Sequence, residues 1–525
     1  MFKHVSALHR RLIAIAVFMT LFMNLAFFKA LLKVYPGLSQ LGFLVSVAVF
    51  FTALHVLLLA VFAHGRAARW WLAAVLLAGA SSAYFMDHYG TVIDTSMLEN
   101  LIQTNVSEAS DLLNLRMLGY LLLGLLPAAW LVRTMSTPPT WKGHFKSLGV
   151  TLIGVVLTVL LAVAPFSSQY ASFLREHKSI RYYANPGYPV TSLMKFAAQT
   201  LNSTAPAVRA AIAPDAKIVE EADHKELVIL VVGETARADH FSLNGYARNT
   251  NPELSMLNVL SFSDVTSCGT STAVSVPCMF SGLGADQYSS NEGLKHTNLL
   301  DTLKAAGVQV LWRDNNSDSK GVALRVDYED FKTPATNKQC DDECRDVGML
   351  DGLDAYVKQH ADKDILIVLH QMGNHGPAYY KRYPKAFERF KPVCETNELS
   401  NCSNEQIINA YDNAILYTDH FLAQVIGFLK RHDHSHETAM LYVSDHGESL
   451  GEFGMYLHGA PKAIAPRAQV HVPAIVWTGQ HFQLSQDELR RYKDVPLSHD
   501  DLFCVMSMAF EMQSSKCQSW WTKGR

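Results

Sequence analysis

Leu227-Val228-Ile229-Leu230-Val231-Val232-Gly233-Glu234-Thr235 decides the fold: six apolar residues run without alternation and stop at a glycine, a carboxylate and a hydroxyl. Such a run predicts a strand buried on both faces, and strands of that kind belong to sheets covered by helices. Further runs of the same type lie at 308–312, 365–369, 440–443 and 472–477, with an amphipathic helix expected over 406–430. Short strands alternating with helical stretches predict an α/β fold with a largely parallel sheet. Four runs end in polar clusters: Gly233-Glu234-Thr235; Arg313-Asp314-Asn315-Asn316 followed by Lys320; His370 followed by Asn374-His375-Gly376; and Asp445-His446-Gly447-Glu448. Open α/β sheets bind ligands beyond the carboxyl ends of their strands, so four segments aim at one rim. Any one cluster alone reads equally well as a turn or cap.

Upstream the composition changes. Five apolar runs, at 12–32, 41–63, 70–85, 118–132 and 148–164, are candidates to cross a bilayer, which takes about 20 residues each. A cleavable signal peptide suits the first poorly, because four more runs follow it. Lys3, Arg10 and Arg11 precede the first run, Arg66 and Arg69 separate the second and third, and Arg133, Lys142 and Lys146 separate the fourth and fifth. The other loops carry little positive charge, which predicts a cytoplasmic N-terminus and export of everything after residue 165. The division expected is a transmembrane domain over 1–165, a membrane-surface linker over 166–217 and a soluble domain over 218–525.

All eight cysteines lie at or beyond Cys268, in close pairs: Cys268 and Cys278, Cys340 and Cys344, Cys394 and Cys402, Cys504 and Cys517. An even count confined to the soluble half predicts disulfides in an oxidising compartment, with sequential pairing the simplest of many connectivities. A net charge of -3 gives no reason to invoke nucleic acid.

Glu234, Asp445 and His446 offer the oxygen and imidazole ligands of a zinc site with one position left open. A buried carboxylate beside an imidazole is costly alone, and a divalent cation offsets that cost. A hydroxyl-rich segment, Thr270-Ser271-Thr272, follows an extended run over 260–266 and is expected to open a helix. Amides at a helix start can hold phosphate, and a metal can activate a hydroxyl to attack phosphorus. Spacing does not choose among Thr270, Ser271 and Thr272. In the loop between the third and fourth runs, Asn100, Thr104 and Glu108 recur every four residues and would share one helix face, either solvated or holding a lipid headgroup.

Seven segments together resemble the lipid A phosphoethanolamine transferases, the group that includes the mobile colistin-resistance enzymes. They are 233–240, 242–246, 268–280, 374–377, 411–413, 444–452 and 456–459, and the stretch 312–321 looks closest to the mobile enzymes. The resemblance spans essentially the whole chain. It implies a five-helix transmembrane domain joined to an α/β domain of alkaline-phosphatase/sulfatase-like fold. It selects Thr272 as nucleophile, and Glu234, Thr272, Asp445 and His446 as ligands of a Zn2+ ion. His375 and His458 would serve a second metal or the phosphate and its proton transfers. Asn316 and Lys320 would contact phosphoethanolamine, and Asn100, Thr104 and Glu108 the lipid substrate.

The activity so implied is transfer of phosphoethanolamine from phosphatidylethanolamine to a phosphate of lipid A, through a phosphoethanolamine-threonine, by a monomer in the inner membrane with its catalytic domain in the periplasm. Polymyxin or colistin resistance is the expected phenotype. The rivals are a sibling transferase acting on a lipopolysaccharide core sugar, a glycerol-phosphate transferase of the same architecture, and a non-catalytic receptor. A sulfatase would want a Cys-x-Pro-x-Arg motif that the chain lacks. The run Arg431-His432-Asp433-His434-Ser435-His436-Glu437 follows a helix end and is read as a solvated loop.

Overall fold

The computed structural model describes residues 2–65, 67–104, 109, 111–135, 140–202, 206, 208–219 and 224–518, with only the backbone for 2–6 and 202; Arg66 and Glu108 lie outside the described residues. The chain divides into two compact units, Met1–Leu98 with Leu113–Ala197, and Glu99–Leu112 with Ala198–Arg525. The segment Glu99–Leu112, expected with the membrane domain, thus groups with the second unit.

The first unit is helical. Leu38–Val61, Leu115–Thr134 and Trp141–Glu176 are long and apolar enough to cross a membrane, and Ala7–Phe22 with Leu25–Val34 makes a fourth crossing if that bent pair is one span. Leu122, Leu126, Ile153, Leu157 and Leu161 are exposed. Helices with such surfaces belong in hydrocarbon, where every backbone polar group is satisfied within the helix. The expected third span is the helix Ala68–Tyr89, whose apolar character is diluted by Trp70, Trp71, Ser81, Ser82, Tyr84 and Asp87.

The expected first span is corrected: it is two helices meeting at 59°. Asn24 at the break donates to Met19 O (3.0 Å) and to Asn185 O (2.7 Å). Asn185 returns bonds to Asn24 Oδ1 (2.9 Å), Met23 O (2.8 Å) and Gly79 O (2.7 Å). Two asparagines therefore satisfy the groups that an unbroken helix would have paired. The stretch expected as a linker is largely helical as well, with Ser167–Glu176, Lys178–Tyr183 and Gly187–Asn202.

The second unit is built on an eight-stranded sheet. Its strands are β1 (Lys225–Gly233), β2 (Leu260–Thr266), β3 (Gln309–Asp314), β4 (Asp327–Asp330), β5 (Ile365–His370), β6 (His436–Ser444), β7 (His471–Thr478) and β8 (Leu497–Ser498). The order is β8-β2-β7-β6-β1-β5-β3-β4. The block β6-β1-β5-β3-β4 is parallel, whereas β7 runs antiparallel to both neighbours. Register decides what reaches the rim: Gly233 lies opposite Ser444, Val232 opposite His370, and His370 opposite Asp314. The residues just after these strands therefore emerge side by side. Gly233 cannot be larger, because a Cβ there would lie 2.6 Å from the buried Tyr442 ring.

The helix Asn404–His432 packs on β6 and starts at a capping box formed by Ser403 and Gln406. Four disulfides, Cys268–Cys278, Cys340–Cys344, Cys394–Cys402 and Cys504–Cys517, close short loops of this unit.

Candidate active site

The hydroxyl-rich turn is held from three sides. β2 feeds into Cys268, whose bridge to Cys278 brackets the start of the helix Thr272–Ser281. Thr270 Oγ1 donates to Ala460 O (2.7 Å), and Ser275 Oγ donates to Asp445 O (2.5 Å). Cys268 N donates to His499 Nδ1 (3.1 Å), and His499 Nε2 in turn donates to Ser444 O (3.0 Å). These bonds tie the turn to the end of β6. They also separate the three hydroxyls, because that of Thr270 is committed to a carbonyl while that of Thr272 faces the rim.

Thr272 Oγ1 lies 3.1 Å and 3.4 Å from the two Glu234 carboxylate oxygens and 3.3 Å from His446 Nε2. Glu234, Asp445 and His446 are fully buried, and His446 Nε2 sits 3.4 Å from both Glu234 Oε1 and Asp445 Oδ2. Ligand atoms of these three residues all fall within 4.8 Å of one another. Two details say what the cluster suits. His446 Nδ1 lies 2.9 Å from Gly447 O, and a carbonyl only accepts, so the proton is on Nδ1 and Nε2 presents a lone pair to the carboxylates. Asp445 Oδ1 accepts from His446 N (2.7 Å) and Thr235 N (3.3 Å), but the buried Asp445 Oδ2 has no hydrogen-bond partner among the described residues.

Lone pairs converging in a dry site repel one another, and a cation resolves this. Burial pushes the Asp445 carboxyl above its usual range and His446 well below its own, so the imidazole is neutral, the form that ligates metal. Two carboxylates and one imidazole fit a zinc-type ion with an open position.

The second histidine pair adjoins this cluster. The ring of His458 lies 4.4 Å from that of His446 and 5.6 Å from that of His375, centroid to centroid. His458 Nδ1 donates to Glu448 Oε2 (2.9 Å), while Tyr379 OH donates to Glu448 Oε1 (2.7 Å). His446, Glu448 and His458 also come within metal-ligating range of each other. Each Glu448 oxygen accepts one of these hydrogen bonds, so this carboxylate orients His458. Burial, with His458 next in weight, holds His375 well below the usual histidine range. Glu448 was not singled out from the sequence, although it stands two residues after His446 in the same cluster.

Asn316 Nδ2 donates to Glu234 Oε2 and to Gln371 O, both at 2.7 Å, and so fixes a rim carboxylate. Lys320 Nζ donates to Ser317 O (2.9 Å) and Gln103 O (3.1 Å), which brings the segment Glu99–Leu112 against the β3 loop. That segment is anchored again by Asp111, which receives Lys381 Nζ (2.6 Å) and Arg382 Nη2 (2.8 Å). Arg382 Nε meanwhile donates to His375 O (2.6 Å). Asn100 and Thr104 lie on this anchored strap, half-buried, and the Thr104 hydroxyl donates to Asn100 O (2.8 Å). The histidine-rich run forms no part of the site: Arg431 and His432 contact Asp354.

Known proteins share this arrangement. The sulfatase family matches residues 226–509, and the family described as phosphoethanolamine transferase EptA/EptB matches residues 51–201. Phosphatidylethanolamine transferase Mcr-1 of Escherichia coli is 45% identical, with 98% of each chain covered. Phosphoethanolamine transferase EptA of Salmonella typhimurium is 38% identical over 94% of this chain and 92% of its own. Among solved structures, the integral membrane lipooligosaccharide phosphoethanolamine transferase A of Neisseria meningitidis superposes with a TM-score of 0.91 at 32% identity, covering 97% of this chain and 96% of its own. An apolar helical unit, a sulfatase-type sheet with a metal-suited rim, and full-length likeness converge: the chain belongs to the phosphoethanolamine transferase family of integral membrane enzymes.

Proposed function

We propose that the chain moves phosphoethanolamine from phosphatidylethanolamine to a phosphate of lipid A by way of a covalent adduct on Thr272. The observation that carries this reading is the Thr272 hydroxyl at 3.1 Å from Glu234 and 3.3 Å from His446, at the head of a disulfide-bracketed helix. Glu234, Thr272, Asp445 and His446 would hold a zinc ion, which supplies Lewis-acid stabilisation of the charge that develops during phosphoryl transfer.

In the first step Thr272 Oγ1 attacks phosphorus, the bond from phosphorus to the glycerol oxygen breaks, and diacylglycerol leaves. Glu234 Oε2 is placed to hold the threonine proton, with Asn316 steadying that oxygen. His458, oriented by Glu448, gives a proton to the departing glycerol oxygen, with His375 alongside. In the second step a lipid A phosphate oxygen attacks the adduct, the bond from phosphorus to Thr272 breaks, and the proton returns to Oγ1. Lys320 and Asn316, with Asn100 and Thr104 of the strap and with Glu108, serve the lipid headgroups in this reading.

The apolar helices and their flanking charges support a catalytic unit on the periplasmic side of the inner membrane, where both lipids and disulfide formation are available. The product carries an added ethanolamine cation. That lowers the negative surface charge which attracts cationic peptides, so polymyxin resistance follows. Mass spectrometry of lipid A from cells expressing the chain tests the reading: phosphoethanolamine-bearing species are expected with the native chain and none with Thr272→Ala. A Thr272→Ala chain that still modified lipid A would remove the covalent step, and modification confined to core sugars would reassign the acceptor.

A further inference from the structure

A cavity of about 240 Å3 opens beside the helix Thr272–Ser281, entirely within the catalytic unit. Ala273, Pro277 and Ser281 form one wall, so it begins one residue from the nucleophile and follows one helix face. Glu99 and Gln103 of the strap close the opposite side. None of the rim histidines lines it, and Lys320 is the one proposed headgroup contact that does.

Its lining is rich in basic side chains. Arg209, Lys320 and Arg325 line it, against the carboxylate of Glu99. Arg325 is neutralised by Asp301, which it grips through Nε at 2.6 Å and through Nη2. Arg209 stands near that same ion pair, where burial and the neighbouring Arg325 both disfavour its charge. Among the described residues no carboxylate lies in ion-pair contact with Arg209. Glu99 accepts from Ser290 Oγ at 2.7 Å, and burial pushes its carboxyl above the usual range, which weakens it as a counter-charge. Burial and the nearby Arg325 work against the Arg209 charge, Asp301 offsets them only in part, and a phosphate accepts the two-pronged contact that a guanidinium offers.

The remaining lining includes the apolar surfaces of Tyr288 and Leu324, on which the face of a sugar ring can pack. The volume lies just under the roughly 300–1,000 Å3 of sites for drug-sized ligands, enough for one headgroup and too small for acyl chains as well. We infer that this cavity is an acceptor subsite that takes a phosphate-bearing sugar of lipid A, with Arg209 contacting the phosphate. The inference rests on the acceptor reading given above. Arg209 came from a stretch read in the sequence as linker, where nothing marked it for binding.

The test uses the full-length protein in detergent, with phosphatidylethanolamine as donor and bis-phosphorylated lipid A as acceptor. Diacylglycerol release and acceptor modification are followed separately for the native chain, Arg209→Gln and Arg209→Lys. Loss of a charge-assisted contact should raise the acceptor KM about tenfold in Arg209→Gln, with the donor KM holding, and Arg209→Lys should recover part of the loss. An equal rise in both KM values, a rise in the donor KM alone, or no change in either overturns the inference while leaving the transfer reading intact. A native chain that releases no diacylglycerol from phosphatidylethanolamine overturns the transfer reading, and this inference with it.

Discussion

Asp412 and Asp445 are both fully buried carboxylates beside histidines in the catalytic unit, yet their surroundings differ in one respect. Asp412 Oδ1 receives His240 Nδ1 at 2.6 Å, and its Oδ2 receives Tyr246 OH and Arg248 Nη1, each at 2.9 Å. Both carboxylate oxygens are thus engaged by donors from this chain. Asp445 has two backbone donors on Oδ1, while its buried Oδ2 has no hydrogen bond among the described residues and meets a neutral imidazole lone pair at 3.4 Å. Buried polar groups are almost always satisfied, so the exception calls for a partner from outside the chain. The first cluster builds scaffold; the second is a group of residues that could hold a cation.

The largest effect is expected from removing Thr272, the proposed nucleophile. Thr272→Ala should cut transfer by at least about a thousandfold with the fold intact, as circular dichroism and lipid A mass spectrometry would report together. Substituting the two aspartates breaks the comparison directly. Asp445→Asn should lower activity by about a hundredfold or more and abolish zinc retention, yet leave the metal-stripped protein as stable as before or more so, because it removes an uncompensated charge. Asp412→Ala should do the reverse, costing about 3–5 kcal/mol in denaturant unfolding while folded molecules retain zinc. A Glu448→Gln chain should lose about tenfold in kcat, with an altered acid limb in the pH–rate profile, since His458 loses its orienting carboxylate. The smallest effect belongs to the histidine-rich run: His432→Ala and His434→Ala should change transfer by less than about twofold in the same assay.

How much of this was legible in the sequence depends on the range of the interactions. Uninterrupted apolar strands declare themselves locally, and parallel register then carries Glu234, Asp445 and the β3 and β5 ends to one edge. Motif residues such as His240, Tyr246 and Asp412 carried the family resemblance without revealing that they are scaffold, because only their mutual bonds show that. The bend at Asn24 depends on Asn185, far along the chain, which no hydropathy window can include. Attachment of the strap depends on Asp111 meeting Arg382 across a still longer separation. The role of Glu448 needed Tyr379 and His458, which two different loops bring to it.

X-ray diffraction from zinc-loaded crystals, recorded on either side of the zinc absorption edge, tests the rim directly. An anomalous peak is expected within about 2.0–2.2 Å of Glu234, Asp445 Oδ2 and His446 Nε2, with Thr272 Oγ1 beside it. Catalytically competent crystals with no density between those atoms, or with the ion bound only at His375 and His458, would contradict the account.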